Sequence, residues 1–174
     1  GLLRRLEDVP KPVSPPPVEG DLVSVVIINY NSQEWLVECL PSLLAQSYTP
    51  IEIIIVDNGS TDKALAWLAE DYPAVRALQL ETTQGLAYAL NRGLELARGD
   101  YLLLLNPDVH LAPDAVAQMV TVARGDSGCA AVAAKLRFWW APAVINSLGN
   151  QVGACGWGRD NGLGPLDFGQ FDTW

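Results

Sequence analysis

The sequence predicts an α/β domain in which a mostly parallel sheet carries helices on both faces. Short apolar runs rich in valine, isoleucine and leucine alternate along the chain with segments of helical periodicity. The apolar runs are continuous, as strands buried on both faces are. Strands that alternate with helices need right-handed crossovers, which bring the strands into parallel alignment.

Five segments are predicted to be strands, of which the first is long enough for a buried strand and too short for most helices. They are "LVSVVII" (22–28), "IEIIIV" (51–56), "VRALQL" (75–80), "YLLLL" (101–105) and "CAAVAAKLRF" (129–138). The four leucines of "YLLLL" predict a central strand, because their side chains need apolar cover on both faces.

Four helices are predicted between these strands. They cover residues 32–46, 61–72, 86–97 and 113–123. The first has Ser32 as its N-cap and contains Pro41, which is expected to kink or split it because proline lacks an amide hydrogen. The second is expected to be capped by Ser60 or Thr61, and the third to end at Gly99.

Composition excludes several classes of protein. The net charge of −9 opposes non-specific binding to nucleic acid, whose phosphates would be repelled. No apolar run approaches the roughly 20 residues that cross a bilayer. Cys39, Cys129 and Cys155 are odd in number and far apart, which indicates reduced thiols in a cytoplasmic protein and neither a disulfide framework nor a zinc site.

The opening of the chain differs from the rest. Residues 1–20 contain five prolines and predict a linker or N-terminal extension, preceded by a short charged helix in "LLRRLED". Residues 21–174 are predicted to form the globular part. Because the opening is typical of a linker, we expect the chain to come from a longer protein.

Polar residues follow four of the predicted strands where each strand ends. They lie at 29–31, 57–60, 81–85 and 106–108. In open parallel sheets, ligands bind in the crevice at the carboxyl ends of the strands. The chain has neither a GxxxxGK[ST] phosphate loop nor a GxGxxG turn between a strand and a helix. A nucleotide site would therefore need another way to neutralise phosphates, and a divalent cation, Mg²⁺ or Mn²⁺, held by Asp108 together with phosphate oxygens would provide it.

Two segments resemble a known family. "VSVVIINYNSQEWLVECLPSLLAQSYTPIEIIIVDNGSTD" and "GLAYALNRGLELARGDYLLLLNPDV" resemble the nucleotide-sugar half of family-2 glycosyltransferases, which have the Rossmann-like GT-A fold. The resemblance covers about 22–123 and extends to the bacterial rhamnosyltransferase-like branch, where "LNPD" replaces the usual DxD motif. It implies inverting, metal-dependent transfer of a sugar from a UDP- or dTDP-linked donor to a hydroxyl of a glycan or lipid-linked acceptor, in cell-envelope polysaccharide synthesis.

The resemblance also implies roles for individual residues. Tyr30 would line the base pocket, and Asp57 would accept a hydrogen bond from the imide N–H of uracil or thymine. Asp108 would coordinate the divalent ion that bridges the diphosphate. The predicted nucleotide-binding set is completed by Asn31, Asn58, Gly85 and Asn106.

The chain departs from the family pattern in three places. Asn106 stands where the motif carries Asp, and Thr83 stands where the family commonly carries Asn. No segment before Trp174 resembles the acceptor-side "ED" that supplies the general base, so we expect the base beyond Trp174 and expect this chain alone to transfer no sugar. The full-length protein is expected in the cytoplasm or at the inner face of the membrane.

Other interpretations remain open for the two aspartates. Asp57 could be a turn residue that caps the next helix, and Asp108 could belong to an Asn-Pro-Asp turn. A receiver-type signalling domain would phosphorylate Asp57, but it needs an acidic pair where Asn29 and Asn31 stand. A non-catalytic nucleotide-binding module of the same fold is a further alternative. The transferase interpretation predicts that Asp57 and Asp108 open into one cleft.

Overall fold

The computed structural model describes residues 17–153, 155 and 157–172. The predicted "LLRRLED" helix and most of the proline-rich opening lie outside these residues. The chain divides into two compact units, Gly1–Ala117 and Gln118–Trp174, which are described separately. Within the described residues, no helix is both long enough and apolar enough to span a bilayer.

The first unit is built on a four-stranded parallel sheet. Its elements are β1 (Val18–Asn29), α1 (Gln33–Leu44), β2 (Tyr48–Asp57), α2 (Ala64–Asp71), β3 (Arg76–Gln79), α3 (Leu86–Leu94), β4 (Tyr101–Leu105) and the beginning of α4 (Ala115–Gly125). The strand order is β3-β2-β1-β4. The predicted α/β class is thus confirmed. Because β1 begins at Val18, the last residues of the predicted 1–20 extension belong to the sheet.

The sheet is buried on both faces at its centre. In β1, Val25, Val26 and Ile27 are all essentially inaccessible to solvent, and successive side chains of a strand point to opposite faces. On one face, Ala89 of α3 belongs to a buried cluster with Val26 of β1 and two residues of β2. Gly93 allows this helix to come close, since a Cβ there would lie 2.5 Å from Cγ1 of Val26.

The leucine run does not form a central strand. Among the described residues β4 is an edge strand of this sheet, and the side chains of Leu102 and Leu104 are 53% and 52% exposed. Composition alone suggested a central position, but strand order places β1 and β2 at the centre. The predicted fifth strand is also wrong, because only Leu136–Phe138 is extended and it pairs antiparallel outside this sheet.

The second unit contains short antiparallel strands. They are β5 (Leu136–Phe138), β6 (Ala141–Ser147), β7 (Asn150–Val152) and β8 (Gly158–Asp160). β5 pairs with β6, and β7 pairs with β8. Backbone bonds from Ile145 N to the Pro165 oxygen and from Leu148 N to the Asn161 oxygen continue the β7–β8 pairing along β6. Residues 143–152 and 158–167 therefore form one long ribbon.

Several helix boundaries differ from the prediction. α1 runs through Pro41 without being split. Ser32 is the N-cap residue of α1, as predicted, but its hydroxyl donates to the Tyr30 carbonyl and does not bind an amide of the helix. In α2, Asp62 Oδ1 accepts the first amide, rather than Ser60 or Thr61. α3 ends at Leu94, ahead of the predicted end at Gly99. Gly99 instead lies against β1, where a Cβ would be 2.6 Å from Ser24 N.

A charged network joins β1, β2 and the segment after α3. The Glu52 carboxylate accepts bonds from the Ser24 hydroxyl (2.6 Å), from Arg98 N (2.7 Å) and from the Arg98 guanidinium (2.8 and 3.0 Å). Arg76 lies 3.5 Å away, and only 10% of the Glu52 side chain is exposed. Burial by itself would raise the pKa of Glu52, but the hydrogen bonds from Ser24 and Arg98 outweigh it and lower the pKa to about 2.

Candidate functional site

The predicted site residues lie at the carboxyl end of the parallel sheet. Asp57 ends β2 and is paired in register with Asn29 at the end of β1. Asp108 follows β4, whose Leu105 is paired with Ile27 of β1 on the other side. β2 and β4 are therefore separated by β1 alone, which corresponds to about 10 Å between their axes. The fold therefore brings both aspartates to the carboxyl end of the sheet, on opposite sides of β1.

Asp57 is completely buried, with 0% of the residue exposed. Both of its carboxylate oxygens accept hydrogen bonds. Oδ1 accepts a 2.7 Å bond from Asn29 Nδ2, and Oδ2 accepts a 3.1 Å bond from Ser60 N. The expectation that this carboxylate opens into a cleft is wrong here, because the 57–60 turn closes back over it. These contacts match the alternative in which Asp57 organises the turn.

Asn29 is a buried polar residue outside the predicted set. Its Nδ2 must face Asp57, because a carboxylate only accepts hydrogen bonds. Its Oδ1 is consequently turned away, and among the described residues this buried oxygen has no donor. An unpartnered buried acceptor costs about 1–3 kcal/mol, so a ligand N–H that reached it would be stabilised there. Its in-register position opposite Asp57 is the signal that could have identified it.

Two of the residues predicted to bind the nucleotide form hydrogen bonds within the protein. Asn31 Oδ1 accepts bonds from Thr61 N (2.8 Å) and Asp62 N (3.2 Å). Asn58 forms a reciprocal pair with the main chain of Gln84, donating to its oxygen and accepting from its nitrogen, both at 2.8 Å. The amides of Asn31 and Asn58 therefore hold the loops after β1, β2 and β3 together. A nucleotide contact through the Asn58 amide would have to displace its bonds to Gln84, whereas Asn31 uses only its oxygen in these contacts.

The 57–60 turn and the 81–85 loop also approach each other through their backbones. Gly59 has a φ of 74°, and a Cβ there would lie 2.6 Å from Thr83 N. Gly59→Ala is expected to lower the free energy of unfolding by about 2 kcal/mol or more, since a left-handed backbone alone costs an L-residue 1–2 kcal/mol. Urea unfolding measures this loss. Gly125→Ala, where a Cβ meets nothing within 4 Å at the end of a helix, is the control and should not lower the free energy of unfolding.

The other predicted site residues are accessible. Tyr30 is 51% exposed, and Gly85, Asn106 and Asp108 are also exposed. Asp108 has no hydrogen bond or ion pair with any residue in the described part of the chain. Burial of the Cys39 thiol, and after it the negative charge of Asp108, raise the pKa of Cys39 to about 11.

The residues after β4 fit a divalent ion that a ligand helps to hold. Asp108 and Asn106 offer a carboxylate and a carboxamide oxygen, which are the hard donors that Mg²⁺ and Mn²⁺ prefer. Within residues 17–153, 155 and 157–172, no group of three His, Cys, Asp or Glu side chains could hold a metal. The donor set suits an ion whose shell is completed by diphosphate oxygens, and it does not suit a closed protein site.

Neither Asp167 nor Asp172, near the end of the described residues, is a suitable general base. Asp167 is ion-paired with Lys135 at 2.9 Å, and the hydrogen bond from Lys135 lowers the pKa of Asp167. Asp172 also binds Lys135. The lowered pKa makes Asp167 a weak base for a hydroxyl acceptor, and the carboxylate of Asp172 is engaged by the same lysine. No catalytic residue is assigned in the described part of the chain.

Known proteins share this fold and sequence. Chondroitin synthase from Escherichia coli is 39% identical over 114 residues, covering 64% of this chain and 16% of that protein. The mannosyltransferase PcManGT from Pyrobaculum calidifontis, solved with GDP-Man and Mn²⁺, superposes with a TM-score of 0.61 at 29% identity, over 75% of this chain and 40% of that one. S. aureus TarS 1-349, solved in complex with UDP, superposes with a TM-score of 0.54 at 27% identity, over 59% of this chain and 32% of that one.

The chain thus spans at most 40% of the length of each of these proteins. These likenesses confirm the GT-A-like fold of the four-stranded parallel sheet. The sequence model of Glycosyl transferase family 2 matches residues 24–139, which is more than half of the chain. The chain belongs to glycosyltransferase family 2.

Proposed function

We propose that this chain is the donor-binding part of an inverting, metal-dependent glycosyltransferase of the rhamnosyltransferase-like branch. The donor is a UDP- or dTDP-linked sugar, and the acceptor is a hydroxyl of a glycan or lipid-linked saccharide in cell-envelope polysaccharide synthesis. The full-length enzyme acts in the cytoplasm or at the inner face of the membrane. The name of the chondroitin synthase supports a polysaccharide product, and TarS with UDP supports a uridine carrier.

One observation carries the proposal. Asp108 is an exposed carboxylate without hydrogen-bond or ion-pair partners among the described residues, and it lies across β1 from the buried Asp57, which Asn29 of β1 binds. A nucleoside diphosphate has a base at one end and charged phosphates at the other. The carboxyl end of the sheet has the buried, unpartnered oxygen of Asn29 beside Asp57 at the ends of β1 and β2, and an exposed carboxylate after β4, which supports binding of those two ends.

The chain's own residues would divide the work as follows. Asp108 and Asn106 would hold the ion, which neutralises charge on the departing nucleoside diphosphate when it is bound. The exposed ring of Tyr30 would cover one face of the base. The acceptors Asp57 and Asn29 would favour the imide N–H of uracil or thymine over an acceptor edge. Because Asp57 is sealed, base binding must be coupled to movement of the Asn29 amide or the 57–60 turn.

The receiver alternative has lost its support. The sequence model of Glycosyl transferase family 2 matches residues 24–139, and a receiver domain is not a member of that family. The neighbours that would hold the receiver's metal are asparagines whose amides face Asp57, Ser60, Thr61 and Asp62.

Titration calorimetry with UDP, dTDP, GDP and ADP, each with and without Mn²⁺, tests the proposal. UDP or dTDP is expected to bind, and to bind more tightly in the presence of Mn²⁺. ADP is the control, because the adenine edge does not carry the imide N–H. Binding of all four nucleotides with equal affinity, or the absence of any effect of Mn²⁺, would contradict the proposal.

A further inference from the structure

A polar stripe on α1 binds the segment that follows β4. The stripe consists of Cys39, Ser42 and Gln46, whose spacing of three and four residues places them on one side of the helix and its end. Ordinary amphipathic helices present apolar side chains at such positions when that side is covered. These three residues instead direct polar groups at residues 106–116.

The contacts of the stripe run in order along that segment. The Cys39 thiol points at the Asn106 carbonyl oxygen at 4.0 Å. Ser42 Oγ accepts a 3.1 Å bond from Leu111 N. Gln46 makes two bonds to this segment: Nε2 donates to the Ala112 oxygen at 2.7 Å, and Oε1 accepts from Val116 N at 3.0 Å. Its Nε2 also donates to the Ser42 carbonyl within α1 at 3.1 Å. The connection from β4 to α4 is thus held at three successive points.

The central contact of the stripe, between Ser42 and Leu111, is buried. Cys39, Ser42, Leu111 and Val116 are all buried. Ser42 Oγ donates to the Cys39 carbonyl at 2.7 Å while it accepts from Leu111, so its orientation is fixed at both ends. Buried bonds of this kind are not exchanged for bonds to water and therefore define a single backbone position.

Asp108 lies between the first two anchors, Asn106 and Leu111. It makes no bond of its own to the described residues, so its position depends on the backbone that carries it. We propose that Ser42 and Gln46 are positioning residues that fix Asp108 for binding of a divalent ion and a diphosphate. This inference rests on the proposed function. When an anchor is lost, the carboxylate of Asp108 is still present, but its position is no longer fixed.

The test measures how strongly Mn²⁺ and UDP bind together. The coupling factor is the UDP dissociation constant without Mn²⁺ divided by the constant with Mn²⁺, from calorimetry on the whole chain. Ser42→Ala and Gln46→Ala are expected to lower this factor by about tenfold or more, as loss of groups that orient metal ligands does. Metal-free UDP affinity should stay unchanged, because neither residue touches the base side.

Ser47→Ala is the matched control. Ser47 follows directly after the stripe, and its buried hydroxyl has no partner among the described residues. Its main-chain bond to the Pro113 oxygen is kept in the alanine variant. The coupling factor of Ser47→Ala should therefore equal that of wild type. Amide hydrogen exchange of Leu111 should become faster in Ser42→Ala and stay unchanged in Ser47→Ala, which reports the anchor without any ligand.

Two outcomes overturn the inference in different ways. If wild type shows metal-coupled UDP binding and folded Ser42→Ala and Gln46→Ala keep the full coupling factor, the positioning role is wrong and the proposed function stands. If wild type shows no coupling at all, the proposed function fails, and the inference fails with it. Gln46 is only half-buried, so its variant tests the role even if Ser42→Ala does not fold.

Discussion

Asp108→Ala is expected to abolish the metal-dependent part of UDP binding and to leave stability within about 0.5 kcal/mol of wild type. The exposed carboxylate bonds to none of the described residues, so its removal breaks no contact that the structure shows. It is also the single charged ligand proposed for the ion, and the neighbouring Asn106 has only a neutral oxygen to offer. Calorimetry with UDP, with and without Mn²⁺, should give a coupling factor of one.

Asp100→Ala is the control for this variant. Asp100 is exposed at the amino end of β4, whereas Asp108 follows its carboxyl end, so both substitutions remove the same charge next to the same strand. Asp100→Ala should retain the full effect of Mn²⁺. Asp108→Asn should keep a weak remnant, because a carboxamide oxygen still coordinates. Undiminished coupling in Asp108→Ala would show that the ion, if any, binds elsewhere.

Glu52→Gln is expected to lower the free energy of unfolding by about 3 kcal/mol at pH 7. The pKa of Glu52 is lowered from 4.5 to about 2 in the folded chain, so the carboxylate stabilises the fold wherever it is ionised in both states. That contribution is complete above pH 4.5 and is lost as the pH falls through 2. Urea unfolding between pH 7 and pH 2 should show the two proteins converging at the acid end.

Glu70→Gln provides the comparison for this pH series. Glu70 is an exposed glutamate on α2, and its replacement should change stability by less than about 0.5 kcal/mol at every pH. A difference between wild type and Glu52→Gln that did not shrink toward pH 2 would mean that the stabilisation does not come from the ionised carboxylate.

The strands β1 and β2, and the presence of the candidate residues at the carboxyl end of the sheet, could be predicted from local sequence. The apolar runs of β1 and β2 can be recognised as buried strands from their own sequence, because strands covered on both faces do not alternate between apolar and polar residues. The order of strands is not encoded in any one run. Leu102 and Leu104 resemble core residues, yet β4 lies at the edge among the described strands. An edge position depends on which partners a strand finds, and these are distant in sequence.

The detailed roles of the polar residues could not be predicted for a similar reason. Asn31 and Asn58 bind groups 26 to 31 residues away, and a loop asparagine that joins two loops has the same local sequence as one that binds a ligand. The burial of Asp57 follows from the in-register Asn29 and from the turn that closes over it. The α1 stripe is visible as a spacing in the sequence, but its partners appear only in the fold.

The reciprocal pair between Asn58 and Gln84 has a consequence for which substitutions the loop tolerates. The bonds reach Gln84 through its main chain, so residue 84 can be exchanged at the cost of one exposed contact, from its own Nε2 to Thr82. Position 58 has no such freedom. Even aspartate, of equal size, would place a second acceptor against a carbonyl oxygen, so among relatives with this loop geometry position 58 should vary far less than position 84.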